Sequence, residues 1–227
     1  RVGAGDLHGD RARLARAGLD RDWVDWIDGD EAARRCGLPA LAAGTGGWWF
    51  GAGAAGWLCP PEVAQALWRE ASAAFDFHPG QVVQRVERVG ARWRLLDAQG
   101  RVLDEAPVLV LAAGHRLGGL LAASGLDGAL PQDGAAWPLS AVRGQTTVLP
   151  PGAPGLRAPA CPLSGAGYAL RLTDGGLLTG ATSQHHDEDA TLRPEDQSRN
   201  LAQARRLGVL DEGVADEALP LAGKVGW

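Results

Sequence analysis

The stretch from residue 46 to residue 63 constrains the fold of this chain most, because glycines crowd its first half and two adjacent prolines follow. Gly51, Gly53 and Gly56 satisfy the G-x-G-x-x-G pattern of dinucleotide phosphate loops. Asp76 follows Gly56 by about twenty residues, where an acid can bind a ribose hydroxyl. The pattern binds phosphate only between a strand and a helix N-terminus, whose free N–H groups face the pyrophosphate.

The neighbouring residues argue against a phosphate loop. Only a short run of three aromatic residues, 48–50, precedes the glycines, and Pro60 and Pro61 interrupt the chain before a helix can begin. Because proline suits the first helical position, the sequence predicts a helix over about 61–75, beyond the glycines. We interpret residues 51–56 as a loop whose small residues let the backbone approach another group closely, with the phosphate loop as the alternative.

Composition is that of an ordinary globular protein, with 45% hydrophobic and 22% charged residues in 227. The net charge of -5 provides no overall basic field for nucleic acid. No apolar run is long enough to span a bilayer and no signal-peptide pattern opens the chain, so we expect a cytoplasmic protein. The chain starts at an arginine, lacks methionine and stops after an apparent strand, which indicates a piece of a longer protein.

Cysteines and histidines do not predict a metal site. Cys36, Cys59 and Cys161 are widely spaced without a C-x-x-C pair, so we expect buried thiols rather than a disulfide framework. The run 185–189 concentrates histidine and acidic residues, but adjacent residues rarely converge on one ion and the H-E-x-x-H spacing is missing. A solvated polar loop is the expected structure there.

The order of predicted elements indicates a mixed α/β chain. Helices are predicted over 10–20, 28–35, 61–75, 116–124 and 195–206. Three short β-prone runs, 82–86, 93–96 and 101–103, predict an antiparallel meander. The apolar run 108–114 predicts a strand buried on both faces, and runs 139–149, 168–172 and 176–180 predict a second, antiparallel sheet.

Two polar side chains have more than one interpretation. His115 follows Ala112, Ala113 and Gly114 at the end of the predicted buried strand, the edge where open α/β sheets hold ligands. A lone histidine there is more often a hydrogen-bonded structural residue, so a structural role and a position beside a cofactor both stay open. For Arg143 we favour a structural ion pair over a catalytic role.

Four segments carry a family resemblance in their order along the chain. They are the glycine stretch with Gly-Trp-Leu-Cys-Pro at 56–60, the run 108–114 ending in Ala-Ala-Gly, Val-Arg-Gly-Gln at 142–145, and Gly-Gly-Leu-Leu-Thr-Gly-Ala-Thr at 175–182. Together they resemble the FAD-dependent D-amino-acid oxidase and glycine oxidase superfamily. Ala-Gly-His at 113–115 and Glu-Asp-Gln-Ser-Arg-Asn at 195–200 add a closer similarity to the C-terminal oxidoreductase domains of bifunctional tRNA wobble-uridine modification proteins.

The resemblance implies an α/β fold of mixed type, as a fragment of a two-domain FAD-linked oxidoreductase. Residues 1–55 would supply substrate-domain helices and a loop, 56–137 part of the Rossmann-like FAD-binding domain, and 138–227 an antiparallel substrate domain. The family's phosphate-binding glycine motif would precede residue 1, and its carboxylate-binding arginine would follow Trp227. No catalytic residue is therefore assigned, and we expect the isolated fragment to be inactive.

The implied activity is FAD-dependent oxidative removal of the carboxymethyl group from carboxymethylaminomethyl-uridine in tRNA. A fused methyltransferase domain would then act with S-adenosylmethionine. The implied FAD contacts are Val83, Ala112, Ala113, Gly114, His115, Gly56, Trp57, Leu58 and Cys59, and the implied substrate contacts are Tyr168 and Trp57. A glycine, sarcosine or D-amino-acid oxidase, or a recognition domain without flavin, remain the alternatives.

Overall fold

The computed structural model describes residues 7–39, 46–51, 53, 55–71, 76–126, 128, 140–165 and 167–227. Two units divide the chain. The first contains Arg1–Leu58, Arg143–Gln184 and Glu188–Gly226, and the second contains Cys59–Val142, His185–Asp187 and Trp227.

Five α-helices lie in the described ranges: α1 (Leu7–Arg16), α2 (Gly29–Cys36), α3 (Pro60–Ala71), α4 (Leu117–Ala123) and α5 (Pro194–Arg206). The strands there are β1 (Val24–Asp28), β2 (Gly46–Phe50), β3 (Arg85–Val89), β4 (Arg92–Leu96), β5 (Val102–Ala106), β6 (Val142–Leu149), β7 (Leu163–Ser164), β8 (Tyr168–Arg171), β9 (Leu177–Gly180), β10 (Gln184–His185) and β11 (Ala222–Gly226). None of the described helices is long and apolar enough to cross a membrane.

An antiparallel sheet, in the order β10-β6-β9-β8-β7 with β11 also paired to β6, organises the first unit. Side chains of β6 alternate strictly between buried and half-buried, as a strand with one covered face requires. Helix α5 packs on β8 and β9 and buries Leu201 and Ala204 in the core with Leu149 and Leu177. The predicted second antiparallel sheet and the predicted last helix are confirmed.

A smaller layer of the first unit pairs β1 with β2 in antiparallel register. Helix α2 follows β1 directly, because the Asp28 carboxylate accepts a hydrogen bond of 2.8 Å from the Glu31 amide. Gly37 ends the helix in the left-handed conformation with φ of 66°. The capped helix predicted over 28–35 is thus confirmed, whereas β1 was not predicted.

The glycine loop departs from a phosphate-binding unit. A strand, β2, does precede it, contrary to the expectation from its short aromatic run, but β2 is antiparallel to β1 and the next helix begins only at Pro60. A Cβ added to Gly51 would lie 1.8 Å from the carbonyl oxygen of Asp22. Close backbone approach is therefore confirmed at Gly51.

The second unit contains the predicted meander as the antiparallel sheet β3-β4-β5. Helix α4 packs on β3, and the hydroxyl of Ser124 accepts a hydrogen bond of 2.9 Å from the Val86 amide. Val86 and Leu96 are buried in this unit. The meander and the helix after residue 116 are confirmed.

The buried strand predicted over 108–114 is wrong. Val108 and Val110 are 74% and 83% exposed, and no strand in the described part of the chain pairs with this run. A strand buried on both faces needs a neighbour for its backbone groups and a layer over each face. Apolar composition alone cannot supply those partners, so the run is irregular up to the turn at Gly114.

Candidate functional site

The first unit contains a cavity of about 1340 Å3. Its lining comes from the β1, β2 and α2 layer, from the glycine loop, and from β7, β8 and the end of α5. Ligand pockets are commonly about 300–1000 Å3 and mostly apolar, with a few polar groups. This cavity has room for a ring system together with its substituent.

Three aromatic residues of β2 contribute to the lining of the cavity. Trp48, Trp49 and Phe50 all line it, in successive positions of β2. Trp48 is packed edge to face against Trp26, with ring centroids 5.3 Å apart. The Arg35 guanidinium lies 4.8 Å from the Trp49 ring, which adds a cation–π contact to this lining.

The open face of the sheet, opposite α5, presents a polar row. Tyr168 pairs with Gly180, Gly180 with Thr146, and Thr146 with Lys224, so these four residues share one face across β8, β9, β6 and β11. Gly180 has no side chain, which leaves a gap between the tyrosine and the threonine. The row spans three strand spacings, about 14 Å. Lys224, at its end, is the single lysine of the sequence.

Tyr168 joins this row to the cavity, because it also lines the cavity. Burial raises the pKa of the Tyr168 phenol above its ordinary value. The hydroxyl therefore keeps its proton at neutral pH and can donate a hydrogen bond to a ligand.

The glycine-loop residues of the implied cofactor site lie in the first unit. Gly56 lines the large cavity, and Trp57 and Leu58 line a shallow cleft beside Gly56. Trp57 is 42% and Leu58 66% exposed. The structure thus brings Gly56 and Tyr168 together in one cavity and leaves Trp57 at its margin.

The other implied cofactor residues lie in the second unit. Val83 is half-buried, and the Cys59 carbonyl accepts hydrogen bonds from the Glu62 and Val63 amides at the start of α3. His115 stacks against Trp227 with ring centroids 5.1 Å apart. The Trp227 indole donates in turn to the Asp187 carbonyl at 2.7 Å. This packing gives His115 a structural contact within the unit.

The turn before His115 fits the close approach of a flat cofactor. Ala112, Ala113 and Gly114 are exposed, and a Cβ added at Gly114 would meet nothing within 4 Å. Gly114 has φ of 56°, a conformation that side chains disfavour. A small and accessible backbone segment of this kind is what FAD needs where it lies against the protein.

Arg143 is structural, as expected. Its side chain is fully buried, and all five N–H donors are used. Their acceptors are the Asp196 carboxylate at 2.6 Å, the side-chain oxygens of Gln184 and Gln145, and the carbonyls of Asp189 and Thr191. No donor is left for a ligand.

Hydrogen bonds within the chain also hold the acidic loop after β10. The Asp189 carboxylate accepts hydrogen bonds from the Thr191 amide and hydroxyl, each at 2.9 Å, and from Arg193 at 2.8 Å. These bonds lower the pKa of Asp189 to about 2, led by the bond from the Thr191 amide. Within the described residues, no group of three or more histidine, cysteine, aspartate or glutamate side chains is arranged to hold a metal ion.

Sequence reasoning missed several residues of this region. The thiols of Cys36 and Cys161 both line the cavity, and Thr146 and Lys224 share the face of Tyr168. All three cysteines are free, as expected, but only Cys36 is buried. The alternation of side chains along β6 could have predicted the position of Thr146, because it determines which residues of the strand face away from α5.

Comparisons with known proteins agree with the resemblance. The profile of the family described as FAD dependent oxidoreductase matches residues 3–214. A protein of Methylibium petroleiphilum, named tRNA 5-methylaminomethyl-2-thiouridine biosynthesis bifunctional protein MnmC, is 41% identical over 219 residues, covering 96% of this chain and 31% of its own length. The protein of the same name from Paraburkholderia xenovorans is 34% identical over 220 residues, covering 94% of this chain and 30% of its own length. The chain thus spans about a third of these relatives.

Solved structures agree in fold. Glycine oxidase from Bacillus cereus superposes with a TM-score of 0.67 at 15% identity, covering all of this chain and 59% of that chain. L-alpha-glycerophosphate oxidase from Mycoplasma pneumoniae, with FAD bound, superposes with a TM-score of 0.66 at 11% identity. The match covers 99% of this chain and 59% of that chain. These structures confirm the mixed α/β fold class, and the family match over residues 3–214 confirms the inferred superfamily.

Proposed function

The chain belongs to the FAD dependent oxidoreductase family, and on that premise we propose that it is part of an enzyme that oxidatively removes the carboxymethyl group of carboxymethylaminomethyl-uridine at the tRNA wobble position. FAD is the family's cofactor and supplies the electron acceptance when bound. The protein residues have to bind and orient the modified base and to hold the cofactor. A fused methyltransferase domain and tRNA itself are the proposed partners.

The cavity of the first unit is the observation that carries this proposal. Its aromatic lining residues Trp48, Trp49 and Phe50 offer flat apolar surfaces to a uracil ring. Proteins that recognise unpaired RNA bases commonly stack them on aromatic side chains. The relatives at 34–41% identity carry a tRNA-modification name, which supports a base as the occupant.

Positive side chains near the cavity suit a substrate that carries phosphates and a carboxylate. Arg13 and Arg206 line the cavity. Lys224 adds an exposed ammonium at the end of the polar row that begins at Tyr168. The overall charge of -5 is thus compatible with a local site for an anionic group.

We propose for individual residues the roles that the family resemblance implies. We assign Tyr168 and Trp57 to the substrate, with Tyr168 donating its hydroxyl hydrogen bond. In the first unit we assign Gly56, Trp57 and Leu58 to FAD. In the second unit we assign Val83, Cys59 and residues 112–115 to FAD, and the exposed backbone of Ala112, Ala113 and Gly114 supports the last of these.

The test is the visible spectrum of the full-length protein under anaerobic conditions. We expect bands of oxidised flavin that disappear when tRNA with carboxymethylaminomethyl-uridine is added, and unmodified tRNA serves as control. Bleaching by glycine or sarcosine but not by tRNA would replace the proposal with a free amino-acid oxidase. Absence of flavin from the purified protein would replace it with a binding domain.

A matched pair of variants ties the reaction to the cavity. Trp48→Ala removes a stacking surface and is expected to raise KM for the modified tRNA by roughly tenfold. Trp93→Ala, in the sheet of the second unit, is the control and is expected to leave KM unchanged. Equal effects of the two substitutions would contradict the placement of the base.

A further inference from the structure

Two thiols meet at the wall of the cavity. Cys36 is the last residue of α2, and Cys161 lies in the segment that leads into β7, 125 positions later. Their sulfur atoms are 2.8 Å apart, and both belong to the first unit. The fold therefore brings into direct contact two cysteines that the sequence keeps far apart.

The backbone on both sides is fixed close together. The Ala160 amide donates a hydrogen bond of 2.8 Å to the Cys36 carbonyl. Gly37 and Leu38 bond back to α2 and close the end of the helix immediately after Cys36. A covalent S–S bond measures about 2.05 Å, so the two sulfurs need to approach by less than about 1 Å. Small side-chain rotations supply such a movement.

The chemistry of the pair favours oxidation at one sulfur first. The two sulfurs share a hydrogen bond in which either thiol can donate, and this contact lowers the pKa of Cys161, although burial opposes the effect. A thiolate is the reactive form of cysteine. Cys161 is also partly exposed, whereas Cys36 is 3% exposed, so an oxidant reaches Cys161 more easily.

We propose that Cys36 and Cys161 are a redox-active pair that closes to a disulfide when the protein meets hydrogen peroxide. The Cys161 thiolate attacks one peroxide oxygen, breaks the O–O bond and becomes a sulfenic acid, while the other oxygen leaves as water after taking up a proton. The Cys36 sulfur then attacks the sulfenic sulfur and releases a second water. Two thiols lose two electrons and two protons, and one peroxide becomes two waters.

The disulfide has a defined place in the first unit. Both sulfurs line the same cavity as Trp48 and Tyr168. The bond would tie the end of α2, and with it the layer of β1 and β2, to the segment before β7. A thiol reductant reverses it by exchange, as for accessible disulfides in general. The proposal does not depend on the catalytic reaction, because neither flavin nor tRNA takes part.

Cys59 provides a matched control within the same chain. It is free and partly exposed, and it lies in the second unit. Among the described residues its sulfur has no thiol neighbour, since the one sulfur pair there joins Cys36 and Cys161. A reaction specific to the pair therefore oxidises Cys36 and Cys161 and leaves Cys59 reduced, whereas general thiol oxidation also modifies Cys59.

The native full-length protein is treated with a small excess of hydrogen peroxide, and is then denatured, alkylated and digested without reduction. Mass spectrometry is expected to find one linked peptide that contains Cys36 and Cys161, about 2 Da below the sum of the two thiol peptides. Dithiothreitol should remove it, and Cys59 should stay alkylated. Cys161→Ser and Cys36→Ser should each abolish the link and leave the remaining sulfur of the pair open to alkylation.

Two results would overturn the proposal. One is full alkylation of both Cys36 and Cys161 after a peroxide treatment that already oxidises Cys59. The other is a linked peptide that contains Cys59 at similar yield, because that would show unspecific oxidation. A circular dichroism spectrum of each serine variant ensures that loss of the link reflects the missing sulfur and not an unfolded protein.

Discussion

The buried ion pair between β6 and α5 gives the sharpest test of the fold. Arg143 and Asp196 are 0% and 1% exposed, and their charged atoms are 2.6 Å apart. The second carboxylate oxygen of Asp196 accepts from Gln184 at 2.7 Å and from Arg199 at 3.2 Å. Asp196→Asn keeps the shape of the side chain but removes its charge and turns one acceptor into a donor.

The burial of this ion pair sets the expected loss in free energy of unfolding for Asp196→Asn. At an effective dielectric constant of about 20, two charges about 4 Å apart attract by about 4 kcal/mol. Removal of one partner from a buried pair typically costs about 3–5 kcal/mol, because the other charge stays buried without compensation. Both estimates place the loss in unfolding free energy for Asp196→Asn near 4 kcal/mol.

Urea unfolding of the full-length protein, followed by circular dichroism, measures the loss. With a slope of about 2 kcal/mol per M, the transition that includes the first unit should move down by about 2 M. Hydrogen exchange of peptides from β6 and α5 assigns the transition to that unit. The result should change little with salt, because the pair is shielded from water.

Asp211→Asn is the matched control. Asp211 pairs with Arg157 at the surface, where the two side chains are 38% and 42% exposed. Exposed pairs contribute about 0–1 kcal/mol. If Asp196→Asn lost no more free energy of unfolding than Asp211→Asn, the reasoning about burial would be refuted.

Three further predictions rest on single contacts. Gly51→Ala places a Cβ 1.8 Å from the backbone of Asp22 and should lower the free energy of unfolding, measured in urea, by about 1–3 kcal/mol. Gly47→Ala, whose Cβ would meet nothing within 4 Å, should lower it less. Equal losses for the two variants would contradict the close approach at Gly51. Because the folded-state pKa of Asp189 is depressed to about 2, its contribution to stability is present above its unfolded-state pKa of about 3.9 and is lost as pH falls through about 2. A thermal midpoint difference between the wild type and Asp189→Asn that stays constant between pH 6 and pH 2 would contradict this. Lys224→Met should raise KM for modified tRNA several-fold and Lys224→Arg much less, and steady-state kinetics that show no difference would exclude the lysine from anion binding.

The sequence predicted those elements whose signals are local. Helix α2 depends on the Asp28 cap, and the meander depends on turns between short β-prone runs, so a few neighbouring residues determine each. The run 108–114 failed because burial on both faces depends on partners elsewhere in the chain. Strand β1 was missed because two of its five residues are aspartates.

The candidate site was predictable only in part. The resemblance pointed to Gly56 and Tyr168, and the structure places both at one cavity. It gave no indication of the contact between Cys36 and Cys161 or of the register that aligns Lys224 with Thr146. Such pairings depend on how distant segments meet, and neither composition nor spacing determines that.

Because burial alternates strictly along β6, residues that maintain the core and residues that form the opposite face occupy alternate positions. Arg143, Gln145, Thr147 and Leu149 are buried on the side of α5, whereas the residues between them lie on the opposite, open face. Substitutions at Thr146 and Val148 can therefore alter the open face while the residues that maintain the fold stay unchanged. A directed-evolution library limited to Thr146 and Val148 should retain folded proteins at a much higher rate than one limited to Thr147 and Leu149.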